Sequence, residues 1–126
     1  MAKILIVEDD PFLRNLLIKK ITDAGYDLEA AITGEEALEK IKSKPDLVLL
    51  DIILPGINGF DVLRQVKSDP RLKNIPIVAL TNLGSEQDVK QASELGAEDF
   101  WVKAYLTPDE IIEKIKNILK ESKDGG

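Results

Sequence analysis

The chain has 126 residues, 44% hydrophobic and 32% charged, enough for one compact domain with a real core and too few for two. Its 17 basic and 23 acidic residues leave a net charge of -6, a balance that repels a phosphate backbone and argues against direct nucleic-acid binding. With no Cys and no His, there are no disulfides, no thiolate or imidazole metal sites and no cysteine nucleophile. The usual neutral-pH base is missing too, which excludes most routine hydrolase chemistry.

In chain order, Ile4-Leu5-Ile6-Val7 is a β-branched aliphatic run ending in acids, the pattern of a strand buried on both faces. From Pro11 the apolar residues Phe12, Leu13, Leu16, Leu17, Ile21 and Ala24 fall at helical spacing, with Asp10 placed to cap the helix and Gly25 to stop it. Leu28 to Ile32 predicts a weaker second strand, and Thr33 and Glu36 have capping-box spacing before a second helix through Ala37, Leu38 and Ile41. Leu47-Val48-Leu49-Leu50 is a third strand ending on Asp51, before the turn-rich Leu54-Pro55-Gly56-Ile57-Asn58-Gly59. A third helix is expected from about Phe60 to Lys67, a fourth strand from Pro76 to Leu80, and a fourth helix from near Ser85 to a stop at Gly96. That helix has a thin apolar face: Val89, Ala92 and Leu95. Ala97 to Val102 predicts the fifth strand, and Thr107-Pro108-Asp109-Glu110 opens a last helix packed through Ile111, Ile112, Ile115, Ile118 and Leu119. The domain is expected over residues 1–122, with a flexible tail at residues 123–126. No run reaches the roughly 20 apolar residues of a membrane span, and the start is too short for a signal peptide, so a cytoplasmic location is expected.

Strands alternating with helices define an α/β fold, a doubly wound parallel sheet covered on both faces. Ligands of such sheets bind beyond the carboxyl ends of the strands. There the chain delivers Glu8, Asp9 and Asp10 after strand one, Asp51 after strand three, Thr81 and Asn82 after strand four, and Lys103 after strand five. Carboxylates gathered on adjacent strands repel and call for a cation, and an all-oxygen set favours a hard one, so magnesium is the expected cofactor. Lys103 and Thr81 suit a tetrahedral anion above Asp51. With no His or Cys, the available nucleophile is a carboxylate, whose attack on phosphorus yields an acyl phosphate.

These segments, Ile6-Val7-Glu8-Asp9-Asp10, Leu49 to Gly59 with its Asp-x-x-x-Pro-Gly-x-x-Gly pattern, Ala79-Leu80-Thr81 and Val102-Lys103, resemble in order and spacing the receiver domain of two-component response regulators, of the chemotaxis-regulator kind. The resemblance covers essentially the whole chain. It implies a flavodoxin-like five-stranded sheet in the order 2-1-3-4-5 with five helices. It implies that Asp51 accepts a phosphoryl group, that Asp9, Asp51 and the Ile53 backbone carbonyl bind Mg2+ with Glu8 assisting through water, and that Thr81 and Lys103 bind phosphoryl oxygens. Thr81 and Phe100 become the switch residues. The implied partners are a histidine kinase or phosphotransfer protein, since this chain has no histidine of its own, and a downstream protein or output domain reached through helix four, strand five and helix five. A monomer or weak dimer is expected, with no membrane contact.

The match departs in three places. Ala104 stands where receivers usually have Pro, so the loop is either strained or follows another path. Phe100 lacks the hydroxyl of the usual Tyr, and Asn82 is larger than the usual small residue, able to crowd the phosphoryl site or to hydrogen-bond to it. Those departures favour the alternative, a degenerate receiver acting as a phosphorylation-independent binding module. Ile53 and Leu83 offer no group to orient water, which predicts slow self-dephosphorylation. A flavodoxin-like nucleotide binder would want glycines where the first loop carries three acids, and a haloacid-dehalogenase-type phosphatase would want an Asp at Ile53.

Overall fold

The computed structural model describes residues 1–125, with side chains through residue 120. The elements run β1 (Lys3–Val7), α1 (Pro11–Asp23), β2 (Asp27–Ala31), α2 (Gly34–Lys40), β3 (Leu47–Leu50), α3 (Gly59–Lys67), β4 (Ile77–Thr81), α4 (Glu86–Glu94), β5 (Asp99–Val102) and α5 (Pro108–Gly125). Five parallel strands lie in the order β2-β1-β3-β4-β5, as expected. The expected tail at residues 123–126 lies outside the residues described with side chains.

The aliphatic runs form strands because both of their faces are covered. On one face Leu5, Val7, Val48, Leu50 and Ile77 pack with Ala37 and Ile41 and with Val62, Leu63 and Val66 of α3. On the other, Ile4, Ile6, Leu47, Leu49, Val78 and Leu80 meet Leu17 and Ile21 of α1 and Ile111, Ile112 and Ile115 of α5. Burying a side chain of this size contributes about 1.5–3 kcal/mol each. α4 is the exception, since Ala92 is its one buried residue.

Helix starts follow the expected chemistry. Asp10 accepts from the Phe12 N–H at 3.0 Å, Thr33 from Glu36 at 3.1 Å, and Thr107 from Glu110 at 3.1 Å while the Glu110 carboxylate accepts from the Thr107 N–H. Gly25 and Gly96 follow α1 and α4 with φ of 96° and 100°, left-handed conformations that end a helix without steric cost.

Four expectations need correction. Phe12 does not join the face of α1: it is 80% exposed, because the stripe that packs runs through Leu13, Leu17, Ile21 and Ala24 and Phe12 lies one residue, about 100°, off that stripe. β2 ends one residue early, at Ala31, because the Ile32 N–H donates to Glu36 Oε1 at 2.7 Å instead of to the sheet. β5 starts at Asp99, because the Gly96 and Ala97 N–H groups close the end of α4 by donating to the Ser93 and Ala92 carbonyls. β4 is displaced by one, from Ile77 through Thr81, which pairs with Val102.

Candidate functional site

The sheet register sets the site. Val7 pairs with Leu50, so Glu8 and Asp51, each one residue further on, emerge side by side. Thr81 pairs with Val102, so Lys103 emerges next to Thr81 at the same edge. Backbone bonds continue the sheet past the strand ends: the Asp51 N–H donates to the Val7 carbonyl and the Glu8 N–H to the Ala31 carbonyl, both at 3.0 Å. The main chain at both acids is therefore fixed.

One oxygen each of Glu8, Asp9 and Asp51 falls within 4.8 Å of the others. Glu8 and Asp51 are buried, whereas Asp9 is exposed. The Lys103 ammonium lies between the two buried acids, 2.5 Å from Glu8 Oε1 and 2.6 Å from Asp51 Oδ2. The remaining oxygens have main-chain donors: Asp51 Oδ1 accepts from the Ile53 N–H at 3.1 Å, and Glu8 Oε2 from the Asp10 N–H at 3.1 Å. Three carboxylates against one ammonium leave two negative charges uncompensated, an all-oxygen set that fits a small divalent cation.

Burial acts on both Glu8 and Lys103. It holds the Glu8 carboxyl above its ordinary 4.5, a push that outweighs the opposing bonds from Lys103 and the Asp10 N–H and is reinforced by the Asp51 charge. Burial alone would lower Lys103, but its hydrogen bonds to Asp51 and Glu8 prevail and hold it above 10.5. The ammonium is thus a fixed positive charge, and its neighbour Glu8 is the acid whose charge the fold penalises.

The loop from Asp51 to Asn58 is shaped by close approach. A Cβ on Gly59 would lie 2.5 Å from the Asp51 carbonyl oxygen and 2.6 Å from Ile52 Cα, too near for any side chain. The Gly59 N–H instead donates to the Ile52 carbonyl at 2.8 Å, and Asn58 and Asp61 form a reciprocal capping box that starts α3. From α2, Glu35 Oε1 accepts from the Ile57 N–H at 2.9 Å, tying down the far side of the loop.

Thr81 is fully buried, and its hydroxyl has only a long 3.5 Å contact from the Leu83 N–H, which leaves it free to turn toward a ligand. Asn82 is exposed. Lys103 reaches Asp51 with Ala104 beside it; no peptide bond is cis among the described residues, and Lys103–Tyr105 forms a short 3-10 turn. The loop therefore takes another path. Phe100 is half-buried against the cluster of Ile52, Phe60, Ala79 and Ala92. Ile53 is 57% exposed at the mouth of the site.

The structure gathers Glu8, Asp9, Asp51 and Lys103, sets Thr81 on the neighbouring strand, and leaves Phe100 beneath α4. Sequence reasoning missed Glu35 and also Arg14, whose guanidinium Nη1 donates to the Glu8 carbonyl at 3.1 Å and the Asp9 carbonyl at 3.3 Å. The side chains of both residues bond to main-chain groups, which leaves no pattern in a single sequence.

An acidic pocket with one lysine, at the point where a doubly wound sheet reverses strand order, defines the class of the protein, and comparison with known proteins places it within that class. Residues 4–116 match the response regulator receiver domain, and the chain belongs to that family. It is 35% identical to the DNA-binding dual master transcriptional regulator RpaA of Synechocystis over 97% of this chain and 51% of that protein. It is 38% identical to the CpxR homolog of Haemophilus influenzae over 97% of this chain and 52% of that one. The chain thus spans about half the length of these relatives. Among solved structures it superposes on the CheY-like receiver domain protein of Methanospirillum hungatei with a TM-score of 0.90 at 28% identity, covering 100% of this chain and 99% of that one. On the BeF3-activated receiver domain of Klebsiella pneumoniae RstA the TM-score is 0.84 at 34% identity, covering 94% and 98%. No described helix is long and apolar enough to cross a membrane.

Proposed function

We propose that the chain is a phosphorylation-driven switch in which Asp51 accepts a phosphoryl group from a phosphohistidine of a partner histidine kinase or phosphotransfer protein, or from a small phosphodonor. The observation that carries this reading is the placement of Asp51, a buried carboxylate paired with Lys103 beside Glu8 and Asp9. The Glu8, Asp9 and Asp51 carboxylates, with the Ile53 carbonyl, would hold Mg2+, which supplies positive charge to the transferring phosphoryl oxygens.

In the transfer an Asp51 oxygen bonds to phosphorus as the donor N–P bond breaks, and the imidazole leaves with its electron pair. Lys103 holds a proton on Nζ throughout and offers it to a phosphoryl oxygen, and the Thr81 hydroxyl donates to another. Hydrolysis restores the acid: water attacks phosphorus, the bond from phosphorus to the Asp51 oxygen breaks with its electron pair returning to the carboxylate, and inorganic phosphate leaves as the water's proton passes to it or to solvent. Thr81, turning to the phosphoryl group, would vacate space toward Phe100 and shift the face formed by α4, β5 and α5, where a downstream protein or output domain would bind.

The net charge of -6 supports the expectation that this chain itself does not contact nucleic acid, although the Synechocystis relative is DNA-binding. A cytoplasmic setting and a monomer or weak dimer belong to the same reading. The phosphorylation-independent module is not favoured, since the Ala104 substitution leaves Lys103 on Asp51.

Incubation with acetyl phosphate and magnesium chloride, read by intact mass, tests the proposal. One added phosphate is expected in the native chain, none without magnesium and none in Asp51→Asn. An unmodified native chain would remove the proposal.

A further inference from the structure

We infer that Arg14 is a positioning residue for the metal site, holding the β1–α1 turn so that the Glu8 and Asp9 carboxylates face Asp51. The inference rests on the reading of those acids as Mg2+ ligands. The carbonyls of Glu8 and Asp9 lie past the end of β1 and before the first turn of α1, so neither the sheet nor the helix uses them. One guanidinium nitrogen of Arg14 takes both, at 3.1 and 3.3 Å. The Arg14 N–H is bonded to the Asp10 carbonyl at 2.9 Å, so the anchor of this side chain is the helix whose N-cap is Asp10. Half-buried Arg14 therefore fastens the two residues upstream of the cap to the helix downstream of it.

The need for such a clamp falls on Asp9. Its carboxylate is exposed, and among the described residues no donor hydrogen-bonds it, whereas Glu8 and Asp51 have Lys103 and main-chain donors. Where a ligand side chain is unsupported, its direction is set by its main chain, and that main chain is what Arg14 holds. Partners that orient metal ligands typically contribute about 10–100-fold in affinity, and a clamp acting through the backbone belongs at the low end of that range.

Charge predicts the opposite sign, which makes the test decisive. Arg14 is a cation beside a cation site, so as a charge alone it would weaken Mg2+ binding, and its removal would tighten it. As a clamp, its removal loosens the ligands and weakens binding. Isothermal titration of the magnesium-free chain with magnesium chloride distinguishes the two. For Arg14→Ala the dissociation constant is expected to rise about tenfold, with acetyl phosphate labelling returning to within about twofold of native at saturating magnesium. Arg14→Lys, which keeps the charge and a donor and serves if the Ala variant does not fold, is expected to lie between the two.

Tighter or unchanged binding in both variants overturns the inference. So does weakened binding in Arg14→Ala that Arg14→Lys does not partly restore. Absence of magnesium binding by the native chain overturns the reading beneath it, and is distinguishable because it does not require a variant.

Discussion

Lys103 acts as the resident counter-ion of the site, its ammonium shared by two buried carboxylates. Removing one partner of a buried ion pair costs about 3–5 kcal/mol, and because Asp9 opens this site to water the cost here is set lower. Lys103→Met is expected to lose about 2 kcal/mol in magnesium-free urea unfolding and to regain much of it when magnesium is added. The loss should persist without recovery if the acids do not bind the ion. The pH dependence has a definite sign. Folding raises Lys103 above its ordinary 10.5, so its stabilisation is complete below that pH and fades as pH climbs through the raised folded value; Lys103→Met should flatten that alkaline limb. Glu8 is also raised, above 4.5, and gives a slope of the same sign at lower pH: the folded state holds the proton more tightly, so stability declines as pH rises from 4.5 through the folded value. At the mouth of the site, Ile53→Asn and Leu83→Glu each provide a polar group for an attacking water, and the acyl phosphate should decay roughly three- to tenfold faster. Unchanged decay in both would show that water orientation is not what limits hydrolysis. Glu8, Asp9, Asp51, Thr81 and Lys103 were legible because each stands at or just past the end of an expected strand, which is where a polar side chain can emerge beyond the sheet. Arg14 and Glu35 were not, since a bond from a side chain to a distant carbonyl or N–H has no signature in residue type or spacing.

Among the elements, α4 is set apart by how little it buries. Ala92 is its one buried residue, and Val89 is 40% exposed, whereas α3 buries Gly59, Phe60, Val62, Leu63 and Val66. Local opening free energy follows buried apolar contact, so α4 amides should exchange with solvent about tenfold faster or more than those of α3 in native-state hydrogen exchange. Equal protection would mean that α4 is not the low-cost element a switch requires. The thin face is legible in the sequence itself, where Val89, Ala92 and Leu95 are the main apolar residues at helical spacing. Element boundaries were less legible where side chains or helix ends compete for backbone donors. Glu36 draws the Ile32 N–H away from β2, and the end of α4 takes the Ala97 N–H before β5 can. Phe12 misled because apolar residues at i, i+3 and i+4 spread over a wider arc than the stripe that packs, which here is Leu13, Leu17, Ile21 and Ala24.

For the whole molecule, alternating aliphatic runs and amphipathic segments were sufficient for a parallel sheet with both faces covered, whereas the order β2-β1-β3-β4-β5 came from the family resemblance, since periodicity does not say which strands are neighbours. That order makes β1 and β3 adjacent and so turns acids 43 residues apart in sequence, Glu8 and Asp51, into one pocket. The net charge of -6 is mostly solvated surface, and the part the fold gathers is three carboxylates, Glu8, Asp9 and Asp51, of which Glu8 and Asp51 share Lys103. The central claim is that phosphorus bonds to Asp51. Borohydride reduction of the acetyl phosphate-treated chain converts an aspartyl phosphate into an alcohol, and fragment mass spectrometry then locates it. The account predicts reduction at position 51 and nowhere else, abolished when magnesium is withheld. Reduction at Asp9 or at any other acid, with position 51 intact, would contradict it.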